Sequence, residues 1–202
     1  MNNISIFFFD LFGVLLGTDH STIIQYISKN NKLNYHETKD ILFGEIYMEM
    51  ERGKIDFNTY INNIFEILPK NISIDKTYLN KIWNNTNIDE MPAVSFIDKL
   101  LTKYEVWIVS NTTNQHINRL KKNFNFLNNV SGIITSESAG AHKPNPIIYN
   151  FALNETNSKP HCSIFIDDNL SNIQTAEYLN FNTHHYKRFE LFEKYLNEYK
   201  LL

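Results

Sequence analysis

The sequence predicts a Rossmann-like, doubly wound α/β fold, a parallel sheet between two helical layers, with a block of helices inserted near its start. Three observations predict it. From residue 92 to residue 186, short apolar runs that end in polar or acidic residues alternate with segments of helical spacing. One more run of the same character, Ile4–Phe9, stands far ahead of the others. Between the two, residues from Asp19 to Asp89 offer helical periodicity alone.

Taken in order, Ile4–Phe9 is continuously apolar and stops at Asp10, the pattern of a central parallel strand buried on both faces. It is not an export signal: no Lys or Arg precedes it, Asp10 interrupts the apolar stretch to Leu16, and no small-residue cleavage site follows. The same stretch is too short to span a bilayer. Helices follow at Thr22–Asn30, His36–Glu51, Phe57–Leu68 and Lys76–Asn84, with Arg52-Gly53-Lys54 the clearest turn among them. The alternation then resumes. Helices at Pro92–Lys103, Thr113–Lys122, Pro146–Asn154 and Leu170–Leu179 separate strands at Glu105–Ser110, Ser131–Ile134 and Ser163–Asp167, and Asn182–Tyr186 adds an edge strand. Because the first strand belongs to the later sheet, residues 1–17 and 90–202 form one core and residues 18–89 an insertion in it.

Composition narrows the function. The 202 residues, 43% hydrophobic and 14% aromatic, are enough for one compact core and exclude wholesale disorder. With 19 Lys and Arg against 22 Asp and Glu, the net charge of −3 gives no general attraction to nucleic acid or to an anionic membrane. The single cysteine, Cys162, can form neither an internal disulfide nor a zinc knuckle, which suits a reducing cytoplasm.

In open parallel sheets ligands bind beyond the carboxyl ends of the strands. Those ends carry Asp10, Ser110 with Asn111, and Asp167 with Asp168, while Lys143 precedes Pro144 in the loop before a helix. Carboxylates, a hydroxyl and an ammonium suit a hard divalent cation such as Mg²⁺ together with a phosphoryl group.

The four segments FFFDLFGVL around Asp10, IVSNT around Ser110, AHKPNPIIY around Lys143 and IFIDDNLSN around Asp167 and Asp168 stand in an order that resembles the haloacid dehalogenase-like (HAD) hydrolase superfamily, subfamily I. The resemblance covers nearly the whole chain and implies an all-helical cap over the active site. It implies Asp10 as the nucleophile that forms an aspartyl-phosphate, Ser110 and the Asn111 amide as contacts to the phosphoryl oxygens, and Lys143 as the neutralising cation. Asp10, the Phe12 carbonyl and Asp168 would hold Mg²⁺ directly, and Asp167 directly or through water. The substrate expected is a small phosphorylated metabolite, and the protein a monomer or homodimer.

One position departs from the pattern. Phosphatases of the superfamily usually carry a second Asp two residues after the nucleophile, as acid to the leaving group, and here Phe12 stands there. His20 could substitute if the insertion brings it close, and a residue of the insertion could do so as well; Glu45, Tyr47, Glu51, Arg52 and Lys54 there could touch a leaving group, though their spacing is equally that of a solvated face and singles out none of them. The aromatics Phe43, Phe57, Tyr60 and Phe65 read as bundle core rather than as a base-stacking site. Two alternatives follow from Phe12: a binding or regulatory protein with weak or no turnover, and a 2-haloacid dehalogenase, whose halide leaves without a proton. The acidic pair Asp167 and Asp168, together with the lack of an Arg near the first motif, opposes dehalogenation.

Overall fold

The computed structural model describes residues 3–31, 33–68, 74–84 and 87–202. Its core is a five-stranded, wholly parallel sheet made of β1 (Ile6–Phe9), β4 (Glu105–Ser110), β5 (Gly132–Thr135), β6 (Ser163–Asp167) and β7 (Asn182–His185). The strand order is β5-β4-β1-β6-β7, so the apolar run at the start of the chain is the middle strand, as its continuous burial requires. Alternate residues of β1 feed two different cores. Phe7 and Phe9 join Val106, Ile108, Ile164 and Ile166 on one face, and Ile6 and Phe8 join Val109, Ile134 and Phe165 on the other.

Helices cover both faces. The first face packs a 3₁₀ turn at Pro92–Phe96, α6 (Ile97–Leu101), α7 (Asn114–Leu120), α8 (Phe126–Asn129) and α12 (Phe189–Glu198), while α10 (Pro146–Glu155) and α11 (Leu170–Tyr178) cover the second. A short α9 (Ser136–Ala139) follows β5 directly. Local chemistry sets the helix starts: Asn145 caps α10 ahead of Pro146, and Asn169 caps α11.

Between β1 and β4 the chain forms α1 (Ser21–Asn31), α2 (Tyr35–Phe43), α3 (Glu45–Glu51), α4 (Phe57–Ile67) and α5 (Lys76–Asn84). These bury a core of their own, with Ile23, Ile27, Leu42, Tyr60, Ile64 and Leu79 in it and Phe43, Phe57 and Phe65 packed around it. The Tyr60 hydroxyl donates to the Leu42 carbonyl at 2.7 Å.

Two expectations are corrected. Residues 19–89 are not helical throughout, because β2 (Leu16–Asp19) and β3 (Asn87–Glu90) pair as an antiparallel ribbon in which Gly17 stands opposite Asp89. The helix expected over 36–51 is two helices, interrupted at Gly44, where a Cβ would lie 2.5 Å from the Asp40 carbonyl oxygen. Among the described residues, no helix is long and apolar enough to cross a membrane.

Candidate active site

Side chains from the ends of β1, β4 and β6 meet those of the loop before α10. Asp10 lies one residue past β1, yet its amide still donates to the Ile166 carbonyl at 2.8 Å, so the sheet ladder fixes its backbone. Its Oδ1 accepts from the Leu11 amide at 2.7 Å. The buried Lys143 ammonium stands 2.7 Å from Asp10 Oδ1 and 2.7 Å from Asp167 Oδ2. Asp167 is fully buried and has both oxygens engaged: Oδ1 accepts from the Asn169 amide at 2.8 Å, and Asn172 Nδ2 lies 2.9 and 3.0 Å from Oδ1 and Oδ2. Asp168 is the exposed member, and ligand oxygens of Asp10, Asp167 and Asp168 all lie within 4.8 Å of one another.

Asn111 acts through its side chain as well as its position. Its Oδ1 accepts from the Lys143 amide at 2.8 Å and its Nδ2 donates to the Lys143 carbonyl at 3.0 Å, which locks the residue that carries the ammonium. Ser110 ends β4 with a buried hydroxyl that has no hydrogen-bond partner among the described residues. The helix that follows does not use it, because Thr113 caps α7 by accepting from the His116 amide. A buried hydroxyl without a partner costs about 1–3 kcal/mol, and an incoming oxygen would recover that cost.

The turn after β1 is tight. Gly13 has φ +87° and its amide donates to the Leu16 carbonyl at 2.8 Å; a Cβ there would lie 2.4 Å from Asp168 Oδ2. The Phe12 ring stacks on the His116 ring at 5.6 Å between centroids, so the position of the expected second acid holds an aromatic pair. Burial pushes His116 down to about 4, which leaves its imidazole neutral. His20 packs against Phe43 and Trp83 inside the helical block, and burial lowers its pKa also.

Charge at the centre is unbalanced: three carboxylates surround one ammonium. Burial pushes the Asp10 carboxyl up to about 7, Asp167 and Asp168 add to the rise, and Lys143 opposes it. Asp168 is raised by burial and by Asp167. Burial alone would lower Lys143, but the Asp10 and Asp167 carboxylates outweigh it and hold the ammonium above its usual range. The cluster offers hard oxygen donors and excess negative charge, which is what a divalent cation of the Mg²⁺ type requires.

A second group of residues borders the site and was one of several open candidates in the sequence. Glu51, the last residue of α3, puts Oε2 at 3.4 Å from His142 Nε2, and its carbonyl accepts from the buried Ser136 hydroxyl at 2.7 Å. Burial pushes the Glu51 carboxyl up to about 8, with a hydrogen bond from Tyr47 opposing and the nearby Asp10 adding to the rise. His142 is pushed down to about 4 by burial. Nothing in the spacing of the helix separates Glu51 from Glu45, whose carboxylate meets Arg52 at the surface.

Comparison with known proteins agrees with this geometry. The family model for haloacid dehalogenase-like hydrolases matches residues 4–180. A D-ribitol-5-phosphate phosphatase of Bacteroides thetaiotaomicron is 25% identical over 190 residues, covering 87% of this chain and 88% of the relative. A HAD family enzyme of Bacteroides thetaiotaomicron, solved as a magnesium complex, superposes with a TM-score of 0.78 at 25% identity over 95% of this chain and 99% of that one. A HAD-like hydrolase structure from Porphyromonas gingivalis gives a TM-score of 0.76 at 21% identity over 98% of both chains.

Proposed function

Because the chain belongs to the haloacid dehalogenase-like hydrolase family, we propose that it is a Mg²⁺-dependent phosphatase of a small phosphorylated metabolite, working through an aspartyl-phosphate on Asp10. The observation that carries the proposal is the buried Lys143 ammonium held 2.7 Å from Asp10, beside an acidic cluster at the mouth of the sheet. The carboxylate of Asp10 attacks phosphorus and displaces the leaving oxygen. Lys143 neutralises charge that builds between the nucleophile and the phosphoryl group, and the unpartnered Ser110 hydroxyl donates to a phosphoryl oxygen. Water then cleaves the acyl-phosphate bond, releasing phosphate and restoring Asp10.

Asp10, Asp168 and the Phe12 carbonyl would hold Mg²⁺, with Asp167 behind them; the cation supplies charge neutralisation to the phosphoryl oxygens. Asp167 is the poorer direct ligand, because Asn169, Asn172 and Lys143 already occupy its oxygens. Residues 18–89 would act as a lid that excludes water and selects the leaving group. The named relative favours a phosphorylated sugar alcohol of about five carbons as the first substrate to test.

Phosphate release from ribitol 5-phosphate, other small phosphomonoesters and p-nitrophenyl phosphate, with Mg²⁺ or with chelator, tests the proposal. Release that needs Mg²⁺ and is abolished by Asp10→Asn is the expected result. A second reading, metal and phosphate binding with little turnover, is favoured by the aromatic pair of Phe12 and His116. Measurable Mg²⁺ binding without phosphate release from any ester would establish it instead.

A further inference from the structure

A phosphatase working as proposed needs a proton for the leaving oxygen, and the position two residues after Asp10 has none to give. Phe12 is aromatic, and the His116 imidazole behind it is neutral. His20 packs against Phe43 and Trp83, and burial holds its pKa below the usual range, which disfavours the imidazolium that would donate. A different carboxyl, that of Glu51, lies near enough to Asp10 and Lys143 for both to act on it electrostatically. Glu51 ends α3 where that helix is fastened to the core: the Ser136 hydroxyl, fully buried, bonds the Glu51 carbonyl at 2.7 Å and lies 3.1 Å from the Thr112 carbonyl, two residues past Ser110. The Glu51 carboxyl reaches His142 at 3.4 Å, and the next residue, Lys143, holds Asp10 at 2.7 Å.

We infer that Glu51 is the proton donor and acceptor of the reaction, supplied by the inserted helices in place of an acid in the first motif; this rests on the phosphatase reading above. As the Asp10 carboxylate forms its bond to phosphorus and the ester P–O bond breaks, the Glu51 Oε–H passes its proton to the departing alkoxide, giving the free alcohol and a Glu51 carboxylate. That carboxylate then takes a proton from the water that attacks the aspartyl-phosphate, so that phosphate leaves and Asp10 and protonated Glu51 are both restored.

The surroundings of Glu51 support the protonation state this cycle starts from. It is faced by Tyr47 of its own helix, Tyr60 of α4, His142 and Lys143 of the loop before α10, and Asp10 just past β1, while Arg52 and Glu45 act on His142 rather than on Glu51. His142 is pushed to about 4 by burial, so it is neutral near pH 7 and forms no ion pair that would hold Glu51 ionised. The proton therefore stays on Glu51 near neutrality, and the carboxyl is buried against the site rather than solvated.

The test is the dependence of kcat/KM on leaving-group basicity, read with p-nitrophenyl phosphate, phenyl phosphate and ribitol 5-phosphate in Mg²⁺. In Glu51→Gln the loss should grow with basicity, from under about tenfold for p-nitrophenyl phosphate to roughly 10²–10⁴ for the alkyl ester. Adding Phe12→Asp to Glu51→Gln should recover much of the loss on the basic leaving groups. Equal losses across the series overturn the role of Glu51 and leave the phosphatase standing. Glu45→Gln, which removes the other carboxyl of α3 at its surface pair with Arg52, should leave the dependence unchanged; Glu51→Asp, which keeps the carboxyl, should lose less on the alkyl ester than Glu51→Gln, and equal losses in the two Glu51 variants overturn the inference. A wild-type protein that releases phosphate from none of the esters overturns the phosphatase reading and this one with it.

Discussion

Gly13 shows how little room the site leaves. Its φ of +87° disfavours any L side chain, and an added Cβ would meet Asp168 Oδ2 at 2.4 Å. Gly13→Ala should therefore cost about 1–2 kcal/mol of stability from backbone strain alone. It should also weaken Mg²⁺ binding at least about tenfold, the equivalent of roughly 1.4 kcal/mol, because Asp168 must turn aside. Calorimetric titration with Mg²⁺ and a thermal melt separate the two effects. At this scale the sequence told much of the site: Asp10, Ser110, Lys143, Asp167 and Asp168 end strands or precede a helix, and position along the chain alone picks them out. Asn172 and the side chain of Asn111 could not be read that way, since their partners are set by how a helix and a loop are turned in space. Glu51 stayed one candidate among several for the same reason.

At the level of elements, α3 and α4 give a matched pair of tests. Asp56 caps α4 at the surface by accepting from the Thr59 amide at 2.7 Å, while Ser136 fastens the end of α3 to the core. Asp56→Ala and Ser136→Ala should each cost about 1 kcal/mol in a denaturant melt. Only Ser136→Ala should lower kcat/KM, because only it frees α3 from the sheet's mouth; equal effects on activity would sever α3 from the chemistry. The strands β1, β4 and β6 were legible because each is an apolar run closed by a polar residue. The ribbon strands LGTD and NIDE were not, because they are largely solvated, lack apolar alternation and form a two-stranded sheet apart from the main one. Helix α12 went unread: Phe192 and Leu196 seal one face of the sheet, but they follow the last expected strand, where no further alternation asks for a helix.

For the whole molecule, the buried acids and histidines oppose each other. Asp10 and Glu51 have folded-state values of about 7 and about 8 against ordinary values of 3.8 and 4.5, so the stability they give at low pH is lost as pH rises through 7 and 8. His116, His142 and His184, pushed to about 4 from 6.5 by burial, give stability above 6.5 that is lost as pH falls toward 4. Above 6.5 only the acids still change, so Tm without metal should fall between pH 6.5 and 8.5. Saturating Mg²⁺ should flatten that fall by lowering Asp10; at 100 times Kd it adds about 2.7 kcal/mol, or roughly 5–10 °C. Melts in Mg²⁺ and in chelator across this range check it, and parallel curves would remove Asp10 from the cation site. The ribbon that joins the two parts has a different consequence. Leu16 and Glu90 are direct partners, so the chain leaves the sheet and returns to it at one spot. The sheet itself is continuous without the helices between, so replacing them need not move Asp10 or Lys143; beyond the ribbon a replacement has to supply a new partner for the Ser136 hydroxyl that now bonds α3.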